Sequence, residues 1–402
     1  MGVRQKRLLY AIIIVCMLVV GIFGTVRDSQ DDRRNFTNQP EQTEEPNKIP
    51  QDEGELGKSK HEEKTILDYK IEDAVSKLTV EELVGQMFFI KDDDRFGPEV
   101  LESCPAGGII LFANDFARET PDSLTKKIQA FQDASKTPLL IGTDEEGGPV
   151  IRVSRYGALV DHAYASPRQL FAQGGYDKIT EDTIEKSRLL LSYGINVNFA
   201  PVCDVSVNPG DFMYLRSFGD SAKATAVYVE RVVEIMKREK MGSVLKHFPG
   251  YGNNGDTHTN TIRDKREYGT FLESDYIPFQ AGIAAGADCV LVSHNIVECL
   301  DADNPASISK KVHEELRKRL DFHGVIITDD LMMSGVANSL DVGECAVQAI
   351  LAGNDMVLST DYKMQYQAVL NAVTEGRISK EQLKESVQRI YKWKYNLGIL
   401  KI

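Results

Sequence analysis

Residues Pro138–Gly148 read PLLIGTDEEGG, a short apolar run that gives way abruptly to three acids and two glycines. A strand that is apolar at successive positions, not at alternate ones, is covered on both faces, as in a parallel sheet. The same pattern recurs on both sides of it. Val84–Ile90 (VGQMFFI) and Gly107–Phe112 (GGIILF) precede it, and Val197–Val202 (VNFAPV), Gly242–His247 (GSVLKH), Cys289–His294 (CVLVSH), Val325–Thr328 (VIIT) and Met356–Ser359 (MVLS) follow, eight runs in all. Helical stretches separate them. Ala222–Glu239 carries Val229, Val232, Val233 and Met236 among charges, and Val312–Leu320, Glu344–Leu351 and Glu381–Leu397 have a similar period. Strands alternating with helices over residues 66–402 predict an α/β fold, a TIM-like (β/α)8 barrel forming a single domain. The competing open doubly wound sheet would carry a glycine-rich phosphate loop after its first strand, and VGQMFFIKDDDRFG contains no GxGxxG.

Two segments precede this domain. Leu8–Gly24 is seventeen residues without a charge, preceded by Arg4, Lys6 and Arg7. That length is at the lower limit for a membrane span, and the basic flank predicts a cytoplasmic N-terminus. Residues 1–27 therefore read as an N-terminal membrane anchor, or a signal segment if cleaved, with everything after Gly24 outside the cytoplasm. Residues 28–65 are rich in acids, amides, Lys and Pro and poor in large apolar side chains, which predicts a disordered polar linker.

The net charge of −13, from 47 basic and 60 acidic residues, speaks against a nucleic-acid partner. Six cysteines at wide spacing, Cys16 inside the apolar run, form neither a disulfide framework nor a CxxC zinc pattern.

In a barrel of this kind the active site lies at the C-terminal ends of the strands. Polar residues collect there: Thr143-Asp144-Glu145-Glu146, Lys246-His247, Ser293-His294-Asn295 and Asp329-Asp330. Each group alone could cap the helix that follows it, and Asp330 reads as such a cap. Four on one rim point to a wet cleft that binds something. A metal site built from His247, His258, His294 and the acids would show HExxH or HxH spacing, and neither is present; no metal or cofactor is expected.

These residues resemble a known family. KHFPGYGNNGDTH (Lys246–His258), TDEEGG (Thr143–Gly148), NFAPVCDV (Asn198–Val205), RSFG (Arg216–Gly219) and ITDDLMM (Ile327–Met333) look like glycoside hydrolase family 3, in the branch of the bacterial β-N-acetylglucosaminidases. The resemblance runs over residues 71–402 and implies the same TIM-like barrel. It implies that Asp329 is the catalytic nucleophile, His258 the acid/base and Asp256 the partner that orients His258. Lys246, His247, Asp144 and Arg216 fall on ligands of sugar hydroxyls, and Arg152, in GGPVIR, on a basic residue near the same subsite. The chain departs from the commonest pattern in two places. The segment between KHFPG and D-x-H is one residue shorter, and Tyr251 stands where His is usual.

The chemistry fits those types of residue. Retaining glycoside hydrolysis needs a carboxylate that attacks the anomeric carbon and an acid that protonates the leaving oxygen, then acts as base toward water. An imidazole suits that alternation because its ordinary pKa lies near neutrality. Asp256, two residues before His258, lies on the same side of an extended segment and can hold the ring's tautomer. Gly250–Gly255 carries three glycines in six residues, the composition of a loop that closes on substrate.

The resulting expectation is a monomeric, membrane-anchored, extracytoplasmic β-N-acetylglucosaminidase. It would release terminal β-linked GlcNAc from cell-wall saccharides through a covalent glycosyl-enzyme. The alternatives are a phosphorylase that uses phosphate as acceptor, and a catalytically silent sugar-binding protein of the envelope.

Overall fold

The computed structural model describes residues 64–91, 97–257, 260–333 and 341–402. The expected anchor at 1–27 and the linker up to residue 63 lie outside the described residues. Among the described residues no helix is long and apolar enough to cross a membrane.

Eight parallel strands form the sheet: β1 (Phe88–Lys91), β2 (Gly108–Leu111), β3 (Leu140–Thr143), β4 (Val197–Asn198), β5 (Gly242–Phe248), β6 (Cys289–Val292), β7 (Val325–Thr328) and β8 (Val357–Ser359). Neighbours follow chain order from β1 to β7, and β8 returns to lie beside β1, with Phe88 opposite Val357. Between β7 and β8 the seam carries an isolated parallel bridge, Ile327 with Met356, and the backbone bonds Met356 N to Ile326 O (3.0 Å) and Leu331 N to Leu358 O (3.2 Å). The result is a nearly closed eight-stranded parallel barrel ringed by helices, consistent with the expected (β/α)8 domain. A separate pair of short strands, Arg263–Asp264 and Ile296–Val297, lies above it in two loops.

Packing explains why these runs become strands. Their side chains are buried on both faces except for Lys91 at the end of β1. Inside the barrel, Phe89 meets Phe199 edge to face at 5.3 Å between centroids. A Cβ on Gly142 of β3 would sit 2.6 Å from Phe199 and 2.9 Å from Phe89, so the space over this strand is already taken by the two rings. Outside, Ala222–Glu239 lays Val229, Val232, Val233 and Met236 inward, and Ser221 caps its start by accepting from Ala224 N at 3.2 Å.

Two strands differ most from the sequence reading. VGQMFFI splits: Val84–Gln86 closes a helix, Val80–Gln86, nucleated by a capping box between Thr79 and Glu82, and the strand begins at Phe88. A helix end buried on all sides is as apolar as a buried strand, so the run cannot distinguish them. The fourth strand stops at Asn198, whose side-chain amide takes over from the backbone in holding the loop after β3, Oδ1 accepting from Glu145 N at 3.0 Å and Nδ2 donating to Glu145 O at 3.1 Å.

The C-terminal helix, Lys380–Asn396, buries Lys394 completely, with Nζ donating to Gln86 Oε1 at 2.7 Å. Burial drops the amine from its ordinary 10.5 to about 7. Between those two values the unfolded chain binds a proton that the folded protein does not, so this group makes stability rise as pH rises from about 7 to about 10. Lys394→Met is expected to flatten that rise. Thermal unfolding of both proteins at a series of pH values checks it; an unchanged slope in the variant would show that Lys394 is not its source.

Candidate active site

The polar strand ends converge on one pocket at the C-terminal mouth of the barrel. Asp144 and Arg152 come from the loop after β3, Arg216 from the loop after β4, Lys246 and His247 from β5, and Asp329 from the turn after β7. Apolar side chains, among them Phe112, Met333 and Leu358, complete the wall. Lys246 and His247 are consecutive, and regular alternation would turn one away. The pairing of β5 with β6 shifts register between Leu245 and Phe248, and both side chains line the pocket.

A buried ion network organises the floor. Lys246 Nζ lies 2.6 Å from Asp144 Oδ1 and 2.6 Å from Glu146 Oε1. Arg216 grips Glu146 with two bonds, Nε at 2.9 Å and Nη2 at 2.7 Å. Arg152 Nη2 stands 3.6 Å from the other oxygen of Asp144. Burial by itself would push the Glu146 carboxyl up, but the charges of Arg216 and Lys246 outweigh it and hold the group well below the usual range. The same pairing keeps Arg216 firmly cationic against its own burial.

His247 is fixed from both sides. Nδ1 lies 2.7 Å from Asp204 Oδ2, and Nε2 lies 3.1 Å from Arg216 Nη2. A guanidinium only donates, so Nε2 accepts, and the single proton of a neutral ring sits on Nδ1 and is donated to Asp204. Asp204 also accepts from His247 N at 3.1 Å and, through Oδ1, from Tyr251 N at 2.7 Å.

The three acids of TDEEGG thus do three jobs. Asp144 faces the pocket. Glu145 is fully buried and accepts from the backbone N–H groups of Arg152 (2.8 Å) and Val153 (2.7 Å), which folds the loop back on itself. Glu146 anchors the cations.

After β7, Asp329 N donates to Val292 O at 3.0 Å, and Asp329 Oδ1 accepts from Asp330 N at 2.9 Å. Asp330 shapes the turn, its Oδ1 accepting from Met332 N (3.1 Å) and Thr360 Oγ1 (3.2 Å), while burial pushes its carboxyl up. His294 belongs to the wall: Nε2 donates to the Asp330 carbonyl at 2.9 Å, and Nδ1 is bonded to Ser307 Oγ at 2.7 Å. Among the described residues no group of three or more His, Cys, Asp or Glu side chains is arranged to hold a metal ion.

Six of the eight residues expected at the site therefore line one pocket: Asp144, Arg152, Arg216, Lys246, His247 and Asp329. Asp256 is half-buried on the loop after β5 and is not part of the lining; His258 lies outside the described residues. Glu146 and Asp204 were missed as site residues, although both lie inside the quoted motifs TDEEGG and NFAPVCDV. The assembled site presents the Asp329 carboxylate beside a ring of fixed donors and acceptors, an arrangement suited to a polyhydroxylated ring.

Comparison with known proteins agrees. Residues 79–393 match the glycosyl hydrolase family 3 N-terminal domain. A β-hexosaminidase of Methylobacillus flagellatus is 32% identical over 264 residues, which are 63% of this chain and 72% of the relative. A solved family 3 β-N-acetylglucosaminidase from Paenibacillus sp. strain FPU-7 is 31% identical with a TM-score of 0.75, over 80% of this chain and 63% of that one. A solved β-glucoside phosphorylase, BglX, shares the fold at 22% identity and a TM-score of 0.73, over 83% of this chain and 61% of its own. This chain thus spans less than two thirds of the length of either solved protein. With the barrel, the pocket at its C-terminal mouth and these matches taken together, the chain belongs to glycosyl hydrolase family 3 and is a glycoside hydrolase.

Proposed function

We propose that this chain is a retaining β-N-acetylglucosaminidase that removes terminal β-linked GlcNAc. The observation that carries the reading is the meeting of Asp329 with Lys246, Asp144, Arg216 and His247 in one pocket. In the proposed reaction the Asp329 carboxylate attacks the anomeric carbon while His258 protonates the leaving oxygen. The glycosyl–Asp329 bond is then broken by water, which gives its proton back to His258. Asp256 orients the imidazole and stabilises its charged form. The cations and acids of the floor bind sugar hydroxyls, and because they are already bonded to one another they need not reorganise.

The decisive experiment compares an aryl β-GlcNAc substrate with its β-glucoside. GlcNAc release should dominate, the first product seen by proton NMR should be the β anomer, and Asp329→Asn should lose at least about three orders of magnitude in turnover. Initial α-GlcNAc would rule out the double displacement, and near-normal activity of the variant would move the nucleophile elsewhere. The shared fold with a phosphorylase supports a second reading, in which phosphate replaces water; formation of GlcNAc-1-phosphate in phosphate buffer would establish it.

The apolar segment at 8–24 with its basic flank supports display of the barrel outside the membrane, where wall-derived saccharides are the GlcNAc source at hand. Protease added to intact cells should release an active fragment by cutting within residues 28–64, whereas complete protection would place the barrel on the other side.

Glu146→Gln tests the floor. It leaves Arg216 and Lys246 without their shared counter-charge in a buried site, where breaking a pair costs about 3 kcal/mol or more. We expect at least a tenfold loss of kcat/KM (roughly, from misplaced sugar ligands) together with a lower urea midpoint. Unchanged values of both would deny the carboxylate its organising role.

A further inference from the structure

The loop after β5 turns sharply around Tyr251. Its neighbours Gly250 and Gly252 have φ of 119° and 54°, in the left-handed region. A Cβ on Gly250 would fall 2.3 Å from Asp275 Oδ1, and one on Gly252 would fall 2.3 Å from Arg266 Nη1. Arg266 closes the neck of this loop, donating to Gly250 O at 2.9 Å and to both Asp264 and Asp275. The turn drives the Tyr251 side chain inward, where only 1% of it is exposed, among Val202, Met213 and Phe212. Its ring stands edge-on to His247, with centroids 5.2 Å apart, and its N–H is bonded to the Asp204 that orients His247.

A buried phenol needs a partner for its hydroxyl. That partner is Thr257 Oγ1, at 2.6 Å and itself fully buried. In the sequence Thr257 stands between Asp256 and His258. Burial also pushes the phenol far above its ordinary range, so it remains a hydroxyl throughout the working pH range.

We propose that Tyr251 is a positioning residue for general acid/base catalysis: its hydroxyl ties Thr257, which stands between Asp256 and His258 in the sequence, to the sugar-binding floor at Asp204 and His247. The inference rests on the reading of His258 as the acid/base. A core-filling Tyr would matter equally for every substrate. A positioning Tyr matters only where proton transfer matters, because a displacement of about 1 Å can cost about a hundredfold in a step that needs the misplaced group. An aryloxide of low pKa leaves almost unaided, whereas a poor leaving group requires the proton.

Tyr251→Phe removes the hydroxyl and keeps the ring. On phenyl β-GlcNAc its kcat/KM should fall about tenfold to a hundredfold, and on 2,4-dinitrophenyl β-GlcNAc it should stay within about twofold of wild type. Azide, which needs no deprotonation, should raise steady-state turnover of the dinitrophenyl substrate. Thr257→Val should show the same pattern, and the double variant should be no worse than the poorer single one, because one bond is lost in all three. If Tyr251→Phe does not fold, judged by its thermal transition, Thr257→Val carries the test. Equal losses on both substrates, or none on either, would overturn the proposal. His258→Ala, assayed in parallel, separates two failures. If it discriminates between leaving groups and Tyr251→Phe does not, the positioning role alone is wrong. If His258→Ala does not discriminate, the acid/base reading fails and the positioning role fails with it.

Discussion

The sharing of one buried carboxylate, Glu146, between Arg216 and Lys246 is the constraint on which the pocket depends. The acid follows β3, Arg216 lies in the loop after β4, and Lys246 is part of β5. Three successive strand ends are thereby joined into one floor. Buried ions are expensive and seldom stabilise a fold by themselves. Here they set geometry: Lys246 is drawn to Asp144, and Arg216 is aimed at His247. Asp144, Glu146 and Asp204 are paired with Arg152, Arg216, Lys246 and His247. Asp329 adds a carboxylate beside this paired floor. In the proposed reaction that carboxylate faces the positive charge developing at the anomeric carbon.

Much of this was legible in the sequence, for identifiable reasons. A parallel strand sheathed on both sides must be apolar at every position, so runs such as VIIT and GGIILF marked β7 and β2 directly. The rule failed at Val84–Gln86, where a buried helix end meets the same requirement, and at Asn198, whose amide was needed by the neighbouring loop. Asp329, Lys246 and Asp144 could be read because charge directly after an apolar run has few explanations. Glu146 and Asp204 could not be singled out. Their roles exist only through partners 70 and 43 residues away in the chain, and an acid beneath a cation looks in sequence like any loop acid. Tyr251 was visible only as a departure from a motif; its bond to Thr257 depends on a turn made by two left-handed glycines.

The seam between β7 and β8 has a consequence for how binding and folding are coupled. Elsewhere each neighbouring pair of strands forms a ladder of two or more residues, but here an isolated bridge is supplemented by the turn that bears Asp329, which reaches across through Leu331 N to Leu358 O and through Thr360 to Asp330. Asp329 and Leu358, one from each side of the seam, both line the pocket. A bound saccharide that touches both walls is therefore a cross-brace for the barrel as well as its cargo. Occupancy and closure are then linked equilibria: a ligand that binds only the closed seam favours closure by its own binding free energy.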